Sequence, residues 1–104
     1  MSSSKEYLEF VLEQLSGLED ITYRPMMGEY LLYYQGKIFG GVYDDRFLIK
    51  PTAAAKRLLP AAAEELPYKG AKPMLLVDEI ENKAFLAELV AGVAKELPAP
   101  KKKK

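Results

Sequence analysis

The sequence predicts an α+β domain in which helices cover one face of an antiparallel sheet. Three observations predict it. An amphipathic stripe lies at each end of the chain, and a central block of aromatic and β-branched residues is cut by turn signals. The chain is 104 residues long and 49% apolar, which suits a single domain with a modest core.

Leu8, Val11, Leu12 and Leu15 recur at helical spacing and form one apolar stripe. Ser3 and Glu6 make a Ser-x-x-Glu capping box ahead of it, and Gly17 suits the left-handed position that ends a helix. Beyond Asp20, Glu29 to Tyr34, Lys37 to Tyr43 and Arg46 to Lys50 read as three strands. Gln35-Gly36 and Asp44-Asp45 fall at their joints, short enough for hairpins, so an antiparallel meander follows. Thr22 to Met26 is a candidate further strand at an edge, because Pro25 lacks the N–H that a central ladder requires.

Thr52 is placed to cap a short helix from Ala53 to Leu59, stopped by Pro60. Met74 to Val77 reads as a buried strand, and Glu65 to Tyr68 as a candidate extra strand that Pro67 confines to an edge. From Asn82 onward, Leu86, Leu89, Val90, Val93 and Leu97 share one helical face, and Pro98 and Pro100 stop this closing helix. The order is helix, three strands, helix, one or two strands, helix. An amphipathic helix and a half-polar sheet each have a face to bury, so a two-layer α/β sandwich satisfies both. Residues 1–98 are expected to form one domain and residues 99–104 a flexible Pro/Lys tail.

Composition removes most catalytic schemes. Cysteine and histidine are both absent, which excludes disulfides, thiolate zinc sites, Ser-His and Cys-His pairs and the commonest metal ligand. No catalytic residue, metal site or cofactor is expected, and the domain is read as non-enzymatic. No apolar run reaches the roughly 20 residues of a membrane span, and the acidic N-terminal stretch does not resemble a secretory leader. A cytoplasmic protein with no membrane role is expected.

Formal net charge is zero but segregated. Residues 1–21 are acidic, residues 22–57 basic through Arg24, Lys37, Arg46, Lys50, Lys56 and Arg57, and Asp78 to Leu97 acidic again. Arg24, Lys37, Arg46 and Lys50 are candidates for meeting phosphate or an acidic partner if the sheet aligns them, with the Lys101 to Lys104 tail as an addition. Solvated strand charges are the plainer reading. Asp44-Asp45 is read as a hairpin turn rather than a cation site, and Asp78, Glu79 and Glu81 as capping acids. Lys37-Ile38-Phe39-Gly40-Gly41 lacks the features of a phosphate loop or an RNA-stacking strand. Its paired glycines mark a bulge or a close backbone approach.

Alternation puts Tyr30, Leu32 and Tyr34 on one face of the sheet and Leu31 and Tyr33 on the other. One face covers the core; the other, if no helix shields it, is a candidate partner surface. Met26-Met27 is read as gap-filling core, with soft contact to a partner as the second option.

Arg24-Pro25-Met26-Met27-Gly28, Gly36-Lys37-Ile38-Phe39-Gly40 and Asp45-Arg46-Phe47-Leu48-Ile49-Lys50 together resemble the N-terminal domain of the TfoX/Sxy family. Leu66-Pro67-Tyr68, Gly70-Ala71 and the Met74 strand follow in the order that family shows, although Met27 stands where it usually has Phe. The resemblance implies an α-β(3)-α-β(2)-α sandwich similar to secretion-chaperone-like domains. It also implies a link to transcriptional regulation of competence genes. The chain is expected to stand alone, without the family's separate C-terminal domain. The expected partner is a second copy, another regulatory protein, or both, with direct nucleic-acid binding and a small-ligand or enzymatic role as alternatives. The candidate contact residues are Arg24, Met26, Met27, Gly28, Tyr33, Lys37, Phe39, Gly40, Gly41, Arg46 and Lys50.

Overall fold

The computed structural model describes residues 4–78 and 80–97. The elements are α1 (Lys5–Gln14), β1 (Ile21–Met26), β2 (Glu29–Tyr34), β3 (Lys37–Val42), β4 (Phe47–Ile49), α2 (Ala53–Leu58), β5 (Glu64–Glu65), β6 (Met74–Leu76) and α3 (Lys83–Lys95). The six strands form one antiparallel sheet in the order β1-β2-β3-β4-β6-β5. The α+β sandwich is as expected, with one change in the count. Four strands rather than three precede α2, because the segment around Pro25 pairs along its whole length with β2, and does so at an edge.

Three two-residue turns build the meander. Met27 and Gly28, Gln35 and Gly36, and Asp44 and Asp45 all have positive φ, the pattern of turns whose twist matches that of paired strands. Gly28 at φ 88° and Gly36 at φ 82° occupy that region without penalty, whereas Met27 at φ 52° does not. Asp44 and Asp45 also brace the hairpin: Asp44 N–H donates to Glu29 Oε1 at 2.9 Å, and Asp45 Oδ1 accepts from Ser4 N–H at 2.8 Å.

All three helices pack on one face. Leu8, Val11 and Leu15 of the first helical segment, Ala55 of α2, and Leu86, Leu89, Val90 and Val93 of α3 join Leu32, Phe39, Val42, Phe47, Ile49, Leu75 and Val77 in one buried cluster. Tyr30 and Tyr34 pack against it too, as the alternation in β2 predicts. Glu96 Oε1 accepts from Ala54 N–H at 2.8 Å, tying the start of α2 to the end of α3.

Several local expectations are corrected. The N-cap of α1 is Ser4, whose Oγ accepts from Tyr7 N–H at 3.1 Å, and Ser3 lies outside the described residues. Gly17 does not adopt the left-handed conformation; Asp20, at φ 64°, does so just before β1. The cap of α3 is Asn82, accepting from Phe85 N–H at 3.1 Å, so Asp78 and Glu81 precede the helix rather than cap it; Glu79 is outside the described residues. β5 is Glu64–Glu65, and Pro67 lies beyond it. The Thr52 cap stands as expected, with Oγ1 accepting from Ala55 N–H at 3.2 Å. The Pro/Lys tail lies outside the described residues.

Candidate interaction surface

The register between strands assigns each side chain to a face. Residues directly opposite one another in an antiparallel pair project to the same side. One row therefore runs Arg24, Leu31, Gly41, Leu48 and Leu76 across five strands, and a parallel row runs Thr22, Tyr33 and Ile38. Tyr43, Leu48 and Met74 form a small buried cluster on this side, with Leu31 and Leu76 packed against it. It is the face opposite the helices, and its β1–β2–β3 half leaves Met26, Leu31, Tyr33 and Ile38 only half-buried.

β3 contains the irregularity that organises this face. Leu32 pairs with Gly40 but Tyr33 pairs with Ile38, so Phe39 is an extra residue, a β-bulge. Phe39 keeps the helix-side position that the register from Lys37 and Ile38 gives it, edge-on to Phe47 with ring centroids 6.4 Å apart, and the bulge reverses the alternation from Gly40 onward, bringing Gly41 to the open face and Val42 to the core. The two glycines that follow are filled from within. A Cβ on Gly40 would collide with the Leu48 carbonyl oxygen and stand 2.9 Å from Ile49 Cα; one on Gly41 would stand 2.6 Å from the Tyr30 carbonyl oxygen and 2.7 Å from the Tyr43 ring. Gly40 thus admits the β4 backbone, a close approach of the kind paired strand glycines suggest, and Gly41 admits the Tyr43 ring, which lies across it.

Burial raises the Tyr43 pKa above the usual tyrosine range, with smaller contributions from Tyr68, Glu29 and Tyr33.

The basic residues do not align. Arg24 lies exposed on the open face. Lys37 is on the helix side and donates from Nζ to the Ala94 carbonyl at 3.0 Å, satisfying the carboxyl end of α3. Arg46 is committed to a clamp: Nη1 to Glu65 Oε1 at 2.6 Å, Nη2 to the Leu66 carbonyl at 3.1 Å and Nε to the Tyr43 carbonyl at 3.1 Å. That clamp pins the β5 edge to the β3–β4 turn. Lys50, half-buried, stands at the far end of β4 beside Tyr43 and Met74.

Of the candidate residues, the structure brings Arg24, Met26 and Tyr33 together on the open face, with Met27 and Gly28 at its β1–β2 turn. Lys50 belongs to a neighbouring cleft. Phe39, Gly40 and Gly41 are buried, and Lys37 and Arg46 hold structural hydrogen bonds. Met27 corrects the reading of Met26-Met27 as core, for it is 96% exposed at the turn tip. Leu31 and Ile38 belong to the surface and were missing from the candidates. Period-two alternation had already put Leu31 on the side of Tyr33, and the two-residue Gln35-Gly36 turn puts Ile38 opposite Tyr33. Among the described residues no cluster of potential metal ligands occurs, and no helix is long and apolar enough to cross a membrane.

Comparison with known proteins agrees with this architecture. An uncharacterized 12.7 kDa protein in the trpE 5′ region of Spirochaeta aurantia is 33% identical over 105 residues, spanning 100% of this chain and 91% of its own length. The family model described as the TfoX N-terminal domain matches residues 13–91, a stretch that includes all six strands and most of α3. With the sheet, its bulge and its flanking helices all within the matched span or at its borders, the chain belongs to the TfoX N-terminal domain family.

Proposed function

We propose that this domain is a non-enzymatic regulatory adaptor of the cytoplasm that docks on another protein, or on a second copy of itself, through the helix-free face of its sheet. The observation that carries the reading is the row of half-exposed apolar side chains Met26, Leu31, Tyr33 and Ile38 on a face that no helix covers, with Met27 beside it. Met27 sharpens the point. A large apolar side chain 96% exposed, held at φ 52° where Gly or Asn would be unstrained, is unfavourable for the isolated domain twice over. Tyr and Met are the residue types that interfaces favour, one for its amphipathic ring and the other for its adaptable thioether. Family membership supports transcriptional regulation of the competence type as the process within this proposal. The absence of imidazole and thiol supports contact over chemistry.

Direct nucleic-acid binding is the less supported reading, because two of the four strand cations, Lys37 and Arg46, are held in structural hydrogen bonds. The test is a Tyr33→Asp variant expressed in place of the natural chain. It is expected to melt within a few degrees of the parent, since Tyr33 is half-exposed, and to reproduce the transcript changes of a deletion strain. Retained regulation by a folded Tyr33→Asp protein would contradict the reading. Loss of regulation on neutralising Lys101 to Lys104, with Tyr33→Asp silent, would favour nucleic acid instead.

A further inference from the structure

On the same side of the sheet lies a cleft that shares Ile38 with the contact surface and whose basic groups the contact role does not use. It occupies about 600 Å³ between the far ends of β3 and β4 and the loop from Pro67 to Pro73, a size in the range of small-molecule sites. We propose that this cleft binds a small aromatic anion, an aryl carboxylate, sulfonate or phosphate.

The walls specify an aromatic body. Tyr43 and Tyr68 meet with ring centroids 6.3 Å apart and planes inclined at 53°, forming a corner against which a flat ring packs. Ile38 and Met74 extend the apolar surface, and Pro51, Pro67 and Pro73 restrain the backbone around it, which lowers the ordering lost on binding.

The polar groups specify an anion. The charged residues lining the cleft are Lys50 and Lys72, and no carboxylate lines it among the described residues. Neither lysine has an ion-pair partner among the described residues. Thr52 Oγ1 already accepts from Ala55 N–H, so its remaining O–H is a donor. Tyr43, also in the lining, carries a phenol that is neutral at neutral pH and has an O–H to donate. Two ammonium groups and hydroxyl donors around an apolar corner are complementary to a ring carrying an acidic substituent.

The test is titration of the full chain with 8-anilinonaphthalene-1-sulfonate, an aromatic anion, alongside N-phenyl-1-naphthylamine, which has the same rings without the sulfonate. Saturable one-to-one binding of the sulfonate is expected. Lys50→Gln with Lys72→Gln is expected to weaken it tenfold or more while changing the neutral probe less than twofold. Tyr68→Ala, at an exposed residue, is expected to weaken both probes. Amide shifts on sulfonate binding are expected at Gly40, Tyr43, Lys72 and Met74. Absence of saturable binding, equal loss of both probes in the lysine variant, or shifts centred on Leu31 and Tyr33 would overturn the proposal. These outcomes are distinguishable from failure of the contact role, because Tyr33, whose substitution tests that role, does not line the cleft, and Lys50, Lys72 and Tyr68 are not in the contact row.

Discussion

A Gly40→Ala substitution is expected to lower the unfolding free energy by about 3 kcal/mol, at the upper end of what overpacking costs. The new methyl has no side chain to displace. It meets the Leu48 carbonyl oxygen and Ile49 Cα, both backbone atoms of the neighbouring strand, so relief requires β3 and β4 to separate. Those strands register Gly40–Ile49, Gly41–Leu48 and Val42–Phe47, flanked by Tyr43–Arg46 hydrogen bonds on one side and Lys50 N–H to the Phe39 carbonyl on the other, so separation strains the whole short ladder, and β4 in turn carries β6. Against a typical domain stability of about 5–15 kcal/mol, the loss is a large fraction of the total. Urea unfolding followed by far-ultraviolet circular dichroism measures it. Gly17→Ala, where an added Cβ meets nothing within 4 Å, is the control and is expected to change little.

Phe39→Ala is expected to cost about 3–5 kcal/mol, the range for emptying a buried phenylalanine site. Phe39 is 0% exposed and packs edge-on against Phe47 beneath the helices, so its removal leaves a cavity that the fixed strands cannot close. The prediction separates two views of this residue. As a surface aromatic it would be nearly silent in stability and important in binding; as a core residue it destabilises on truncation. The unfolding midpoint of the variant decides between them.

The Phe39 case shows where sequence reading stops. Alternation in β2 placed Tyr30, Leu32 and Tyr34 against the helices and Leu31 and Tyr33 on the other side, because an uninterrupted strand keeps its period of two. Continued through β3, the same rule holds as far as Phe39 and fails from Gly40, since one inserted residue reverses every later assignment and a bulge has no composition of its own beyond the glycines beside it. Pro25 marked an edge strand through a missing donor, a local property. Thr52 marked a helix start for the same kind of reason, whereas the capping of α3 was read onto the acids before it and belongs to Asn82. Lys37 and Arg46 were not legible as structural residues, because their acceptors are distant or featureless in sequence: a carbonyl at Ala94, 57 residues away, and a carbonyl at Leu66 beside the Glu65 carboxylate. A charge on a strand looks the same whether it faces solvent or ends a helix. The Met27-Gly28 turn escaped notice because methionine is not a turn-forming residue, and that mismatch is now among the better arguments for a contact surface.

The helix-free face as a protein-contact surface is the central claim, and site-specific photocrosslinking tests it most directly. A photoreactive amino acid placed at Met27 or at Tyr33 substitutes a side chain outside the core, and one placed at Glu88 on the exposed side of α3 serves as the reference. Irradiation of living cells is expected to give discrete protein adducts, with either a second copy of the chain or one defined partner, from positions 27 and 33 and not from 88. An Ile38→Asp change is expected to abolish them. Adducts of equal yield from all three positions, or none from 27 and 33 in a folded protein, would contradict the account.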